Sequence, residues 1–186
     1  MDFELIISIV LGFSLAAAAG FRVFIPLLIV SLSAHYGWFP VAEKWQWVGS
    51  TAALWLLGIA AVIETFAYFI PWLDNLLDTI SVPLAGIAGT LLMVATMGDV
   101  HPAFTWALAI IAGGGAAAAI SGTTGMTRLT STATTGGIAN PVVATAETAS
   151  ATTISVTSIF SPIIALVIVL ILIGGVWRFI KKLRRS

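Results

Sequence analysis

Residues 163–177 read IIALVIVLILIGGVW, and residues 51–70 read TAALWLLGIAAVIETFAYFI. The first run carries no charged side chain and the second carries one, Glu64. A hydrocarbon core of about 30 Å is crossed by roughly 20 apolar residues in helical form. These runs are continuous rather than alternating with a two-residue period, so helices and not barrel strands satisfy their backbone polar groups in lipid. The expected fold is therefore all-α, a polytopic helical membrane protein. Composition agrees: 59% of the 186 residues are hydrophobic and 9% charged, where a soluble domain has about 25% charged residues. One integral membrane domain, 1–186, accounts for the whole chain.

The breaks in the apolar pattern set the expected segments. Residues 5–34 would make one helix of about 45 Å, too long for a single upright crossing. Gly20, Arg22 and Pro26 interrupt it, giving pieces at 4–19 and 22–34, with one steeply tilted helix as the alternative. HYGWFPVAEKWQWVGS (35–50) has the aromatic residues of a membrane interface. After the span at 51–70, PWLDNLLDTIS (71–81) reads as a short amphipathic surface helix. Its Leu73, Leu76, Leu77 and Ile80 share one face, and Asp74 and Asp78 form an interfacial acidic pair on another. Further spans are expected at 82–98, with Pro83 in the first turn, and at 103–121. The Gly113–Ala119 run of the latter allows close helix approach and a homo-oligomer contact. Residues 142–177 divide at Pro162 into spans 142–158 and 161–177.

Five of the eight Lys and Arg lie in the tail 178–186, RFIKKLRRS, which places the C-terminus on the cytoplasmic side of an inner membrane. Asp2 and Glu4 argue against a cleaved signal at the start. The basic tail suits anionic membrane lipids as partners, not nucleic acid.

Between the apolar runs lies SGTTGMTRLTSTATTGGIANPVV (121–143), whose first fifteen residues include nine hydroxyls and whose only charge is Arg128. Non-helical backbone at membrane depth survives only where protein or a wet cavity satisfies its polar groups. Residues 122–140 are therefore expected to form a re-entrant or unwound element that holds Arg128 inside the protein, an external loop being the alternative.

Arg22, Glu64, Arg128 and Glu147 fall at membrane depth in this reading. Each would cost about 2.5–3.5 kcal/mol unpaired at the centre of a lone helix. Two positive and two negative charges suggest Arg–Glu pairs, serving either a solute pathway or helix packing alone. Each half of the chain has a Gly–Arg element, a proline and then a glutamate, so the halves are expected to meet at a midplane site. Glu147, among Ala144, Thr145, Thr148 and Ala151, is the candidate proton carrier. Glu64, beside Ile63, Phe66 and Tyr68, is the candidate structural member.

Other chemistry is thin. Cysteine is absent, which excludes thiol catalysis and cysteine-held metals. Asp99 and His101 lack a third ligand, His35 reads as interfacial, and no Ser-His-Asp order, phosphate loop or zinc helix occurs. No metal, no cofactor and no enzymatic activity are expected.

The pieces GFRVFIPLL (20–28), ETFAYFIPWLDNLLDTISVPLAGIAGTLL (64–92), the hydroxyl-rich stretch 121–143 and AETASA (146–151) together resemble the small bacterial membrane proteins catalogued as domain of unknown function 4126. The resemblance places Arg22, Glu64, Asp74, Asp78, Arg128, Asn140, Pro141 and Glu147 on that family's recurrent polar and turn positions. Tyr68-Phe69 departs from it, standing where many members have an Asp-Lys pair. The resemblance implies an architecture and a residue set, not a reaction. The resulting expectation is a small transporter or channel-like protein for a small solute or ion, with Arg22, Glu64, Arg128, Asn140 and Glu147 as its polar site. Two rivals stand beside it: a non-catalytic assembly or lipid-organising protein, and a membrane enzyme using Asp74 and Asp78 on lipid.

Overall fold

The computed structural model describes residues 3–39, 41–98 and 100–183, and no strand occurs among them. Eight helices follow one another: α1 (Phe3–Ala19), α2 (Phe24–His35), α3 (Thr51–Ala67), α4 (Pro71–Thr96), α5 (Pro102–Leu108), α6 (Gly115–Thr135), α7 (Asn140–Phe160) and α8 (Pro162–Leu183). A 3₁₀ turn at Glu43–Gly49 precedes α3, and a π-helical turn at Ala109–Gly114 joins α5 to α6.

Helix α1 is the central post. Its Leu11 and Leu15 pack in one cluster with Ala85, Ala88 and Leu92 of α4 and Ala117 of α6. Its Ala17 and Ala18 pack with Ile154 of α7 and Val169 of α8. The chain breaks after α1 where Gly20 has no room for a side chain, since a Cβ there would lie 2.6 Å from Ile120 Cβ and 2.7 Å from the Ala117 carbonyl. Pro26 sits in the first turn of α2, where a missing N–H costs nothing. Ser50 Oγ caps α3 by accepting the Ala53 N–H at 3.2 Å. Stacked Tyr36 and Trp38 (5.3 Å), and Trp38 against Phe160 (6.0 Å), set the ends of α2 and α7 at one aromatic level.

Two expectations change here. The surface helix at 71–81 and the span at 82–98 are a single helix of 26 residues, α4, with Pro83 inside it. Buried Asp74 lies on the same stripe as Ala85, Ala88 and Leu92, the stripe that faces the bundle, and Leu76 and Ile80 point outward. The acidic face expected to meet water at the membrane interface turns into the bundle instead, where arginine can hold it, and the apolar face is left outward.

The hydroxyl-rich stretch is not unwound either. Residues 122–135 continue α6, and the apolar Pro102–Thr135 element runs for 34 residues. Six of its threonine hydroxyls bond to carbonyls of the helix itself, while Ser131 Oγ is buried without a partner. Thr123 donates to the Ala119 carbonyl (2.9 Å), Thr127 to Thr123 (2.9 Å), Thr130 to Met126 (2.9 Å) and Thr135 to Ser131 (2.7 Å). Such bonds back to the preceding turn need no cavity. The chain leaves the helix only at 136–139, where Gly136 (φ +64°) and Gly137 (φ +86°) take the left-handed conformation that ends it.

By length and composition, Leu76–Thr96 and Pro102–Thr135 are long and apolar enough to cross a membrane. The Glu43–Gly49 turn and α3, bent by 64°, form a third such unit if taken together, and Phe3–Ala19, Phe24–His35 and Pro162–Gly175 are shorter apolar helices. Trp55, Ile59, Ile63 and Phe66 of α3 and Ile163, Val167 and Ile171 of α8 are exposed, while Arg22, Glu64, Asp74, Arg128 and Glu147 are buried. The chain is a helical membrane protein. Arg184, Arg185 and Ser186 of the basic tail, and also Asp2 and Asp99, lie outside the described residues.

Helices α4 and α6 meet along a glycine seam. A Cβ at Gly89 would lie 2.6 Å from Ala117 Cβ and 2.7 Å from the Gly113 carbonyl oxygen, whereas one at Gly115 would meet nothing within 4 Å. Gly89→Val is expected to force the two helices apart and cost about 1–3 kcal/mol or more by overpacking. Gly115→Ala is expected to melt like the wild type. Equal melting temperatures for the two variants in detergent would contradict the seam.

Candidate functional site

Five elements converge beside the α1–α2 break. Glu64, in the last turn of α3, accepts the Val23 N–H at Oε1 (2.8 Å) and the Phe24 N–H at Oε2 (2.9 Å). The break strips these first N–H groups of α2 of intrahelical partners. A carboxylate at the positive end of the helix supplies both missing acceptors. Glu64 therefore answers to backbone and forms no ion pair with either arginine among the described residues.

Arg22, in the break itself, is 1% exposed. Its Nε donates to Thr148 Oγ1 (3.1 Å) and its Nη2 to the Ala144 carbonyl (2.9 Å), with Glu147 Oε2 at 3.4 Å. Its Nη1 is buried without an acceptor. Arg128, on α6, is the hub. Its Nε reaches Glu147 Oε1 (3.2 Å) and its Nη2 is in direct contact with Glu147 Oε2. This is the fork-on-fork pairing that makes arginine–carboxylate contacts strong. Its Nη1 reaches Asp74 Oδ1 (3.1 Å) and Asp78 Oδ1 (2.7 Å). Asn140, at the start of α7, donates from Nδ2 to Asp74 Oδ2 (3.1 Å) and Thr132 Oγ1 (3.0 Å).

The arginines of the two halves thus meet on one glutamate oxygen. They also share one ring: Cζ of Arg22 lies 3.8 Å, and Cζ of Arg128 3.9 Å, from the centroid of Tyr68. Tyr68 was not among the sequence-derived site residues. Its signals in the sequence were its place one turn after Glu64 and the departure of Tyr68-Phe69 from the Asp-Lys pair that many family members carry.

All seven residues singled out from sequence lie in or against this cluster, but not in the arrangement expected. Asp74 and Asp78 are not an interfacial pair on a wet face. Their side chains are 2% and 15% exposed and both are held by Arg128. The charge tally changes with them. Two guanidinium groups face four carboxylates, a formal charge of −2 if all are ionised, where the sequence reading counted two against two.

A small cavity of about 10 Å³ opens beside the cluster, between Glu64, Tyr68, Asp78, Ser81, Ser121 and Thr124. That is room for about one water molecule. His101 is engaged elsewhere, capping α5 by accepting the Ala103 N–H at 3.3 Å. No group of three His, Cys, Asp or Glu side chains placed to hold a metal occurs among the described residues.

The family model described as Domain of unknown function (DUF4126) matches residues 9–182, a range that includes every residue of the cluster. The chain belongs to that family. No curated protein and no solved structure matches this DUF4126 chain.

Proposed function

We propose that this protein passes a small solute or ion across the membrane, with Arg22, Glu64, Arg128, Asn140 and Glu147 as the polar site on the path. The observation that carries the reading is a cluster of six ionisable charges inside an apolar helical bundle, where each charge is costly and marks a pathway more often than not. Helix rise sets its depth. Glu64 lies 13 residues from Thr51, and Glu147 lies 13 residues from Phe160, about 20 Å in each case. With the aromatic level of Trp38 and Phe160 at one interface, the cluster sits about two-thirds of the way through a core of roughly 30 Å. The basic tail supports a cytoplasmic far side, nearer the cluster, in a cell with an inner membrane. The α6–α7 hairpin that carries Arg128, Asn140 and Glu147 is, in this reading, a helical re-entrant element.

A second reading, a protein that organises the membrane without transport, draws on the same site. Every nitrogen of the Arg128 guanidinium is engaged, and the cavity holds about one water. The lipid-enzyme rival needs Asp74 and Asp78 free at headgroup level, and Arg128 occupies both. Of the glycines proposed for a homo-oligomer contact, Gly113 and Gly114 lie against Gly89 and Gly86 within the chain, and Gly115 faces open space. Flux separates the first two readings. Protein-loaded liposomes are expected to pass at least one probe of a panel (protons, sodium, potassium, phosphate, acetate) faster than empty liposomes. Thr124→Val, which changes the cavity lining without touching an ion pair, is expected to reduce that flux. Identical traces for loaded and empty liposomes across the panel would hand the lead to the organising role.

A further inference from the structure

The excess of carboxylates is concentrated at one place. Asp74 and Asp78, one turn apart on α4, direct their Oδ1 atoms at the same nitrogen, Arg128 Nη1 (3.1 and 2.7 Å). One positive nitrogen between two carboxylates leaves them a net negative pair. Elsewhere the acids are better matched: Glu147 lies against both guanidiniums, and Glu64 against two helix N-terminal N–H groups. The remaining titratable neighbour is Tyr68 of α3, on the Arg128 guanidinium. Two carboxylates that share a dry site do not both ionise readily.

A second observation, independent of the charge count, lies on α7. Asn140 is 9% exposed, and its Oδ1 is buried without any donor, although its Nδ2 is bonded to Asp74 Oδ2 at 3.1 Å. A buried carbonyl oxygen without a donor is costly. The missing donor beside it would be an O–H on Asp74, because a protonated carboxyl and a primary amide complement each other, O–H to C=O and N–H to C=O. Asp78 supplies the way in. Its side chain is the more exposed of the two and also lines the water-sized cavity with Ser81, Ser121 and Thr124.

We propose that the Asp74–Asp78 pair holds one shared proton in the folded protein, its O–H directed at Asn140 Oδ1, and that this proton exchanges with the aqueous phase through Asp78 and the adjacent cavity. The use of that proton as a coupling ion rests on the transport reading above, but its presence does not.

The test is therefore static. Infrared difference spectra of the full chain in detergent, at neutral against alkaline pH, are expected to show the C=O stretch of one protonated carboxyl, shifted in D₂O. Asp74→Asn and Asp78→Asn should each abolish the band, because the acid that remains then has Arg128 Nη1 to itself and ionises. Asp78→Asn is the safer variant for folding, since Arg128 keeps Asp74 and Glu147. Asn140→Ala should leave the band but shift its frequency, because the O–H loses its acceptor. Absence of any protonated-carboxyl band at neutral pH would overturn the proposal, as would a band that survives both aspartate variants. Disappearance of the band when N-methylglucamine is replaced by sodium or potassium would also overturn it, by showing an alkali ion in the proton's place. A band present in a protein that passes no probe would leave the proton in place and remove the transport reading instead.

Discussion

Arg128→Ala is expected to be the most damaging single substitution in the chain. The Arg128 guanidinium meets three carboxylates, Asp74, Asp78 and Glu147. Without it, Asp74 keeps only the Asn140 amide and Glu147 keeps only Arg22, at 3.4 Å. Removing one partner of a buried ion pair costs about 3–5 kcal/mol, because the other charge is left uncompensated. Here the loss falls on a hub, against a total stability of about 5–15 kcal/mol. Arg128→Ala should therefore yield little monodisperse protein on size exclusion. Arg128→Lys should fall between it and the wild type, since an ammonium cannot reproduce the fork on Glu147. Arg128→Ala combined with Asp74→Asn and Asp78→Asn should recover part of the lost yield, because the uncompensated charges go with it and Glu147 keeps Arg22. Wild-type yield and melting temperature for Arg128→Ala, or no recovery in the combined variant, would refute ion pairing as the tie between these helices.

Much of the helix plan was legible because its punctuation is local. Gly20 and Arg22 divide α1 from α2, and Pro162 divides α7 from α8, within a residue or two of where the sequence placed the breaks. Facing and partners were less legible, because they depend on solvent and on residues far along the chain. A threonine-rich run can line a cavity or bond to its own helix, and nothing in 121–135 distinguishes the two. The i−4 carbonyls prevailed because they are always within reach. The acidic face of α4 reads as the wet side of an interfacial helix, and the glycine seam with α6 brings Asp74 and Asp78 to Arg128 instead. Glu64 invited an arginine partner, yet a broken helix offers unbonded N–H groups that serve a carboxylate as well. The charged residues themselves stood out against their apolar neighbours, and an aromatic residue in an apolar run does not. That is why Tyr68 was read as a bulky neighbour of Glu64 and a departure from the family pattern, not as a site residue.

Tyr68→Ala is the second large effect expected, and its companions say why. Tyr68 is 6% exposed, with two guanidinium carbons within 3.9 Å of its ring centroid. Truncating a buried aromatic to alanine costs about 3–5 kcal/mol through lost transfer energy and the cavity left behind. A desolvated cation over an aromatic face adds about 2 kcal/mol, and here two cations use one ring. Leucine would restore much of the volume but none of the ring's negative face, whereas phenylalanine keeps the ring and loses only the hydroxyl. Thermal unfolding in detergent is therefore expected to rank Tyr68→Phe nearest the wild type, Tyr68→Leu clearly below it and Tyr68→Ala lowest. If leucine performs as well as phenylalanine, the ring only fills space, and the arginines are held by their carboxylates alone. If the expected ranking holds, Tyr68 is what lets two buried guanidiniums approach the same Glu147 oxygen, because its π face offsets repulsion that the bundle's dry interior would otherwise leave unscreened.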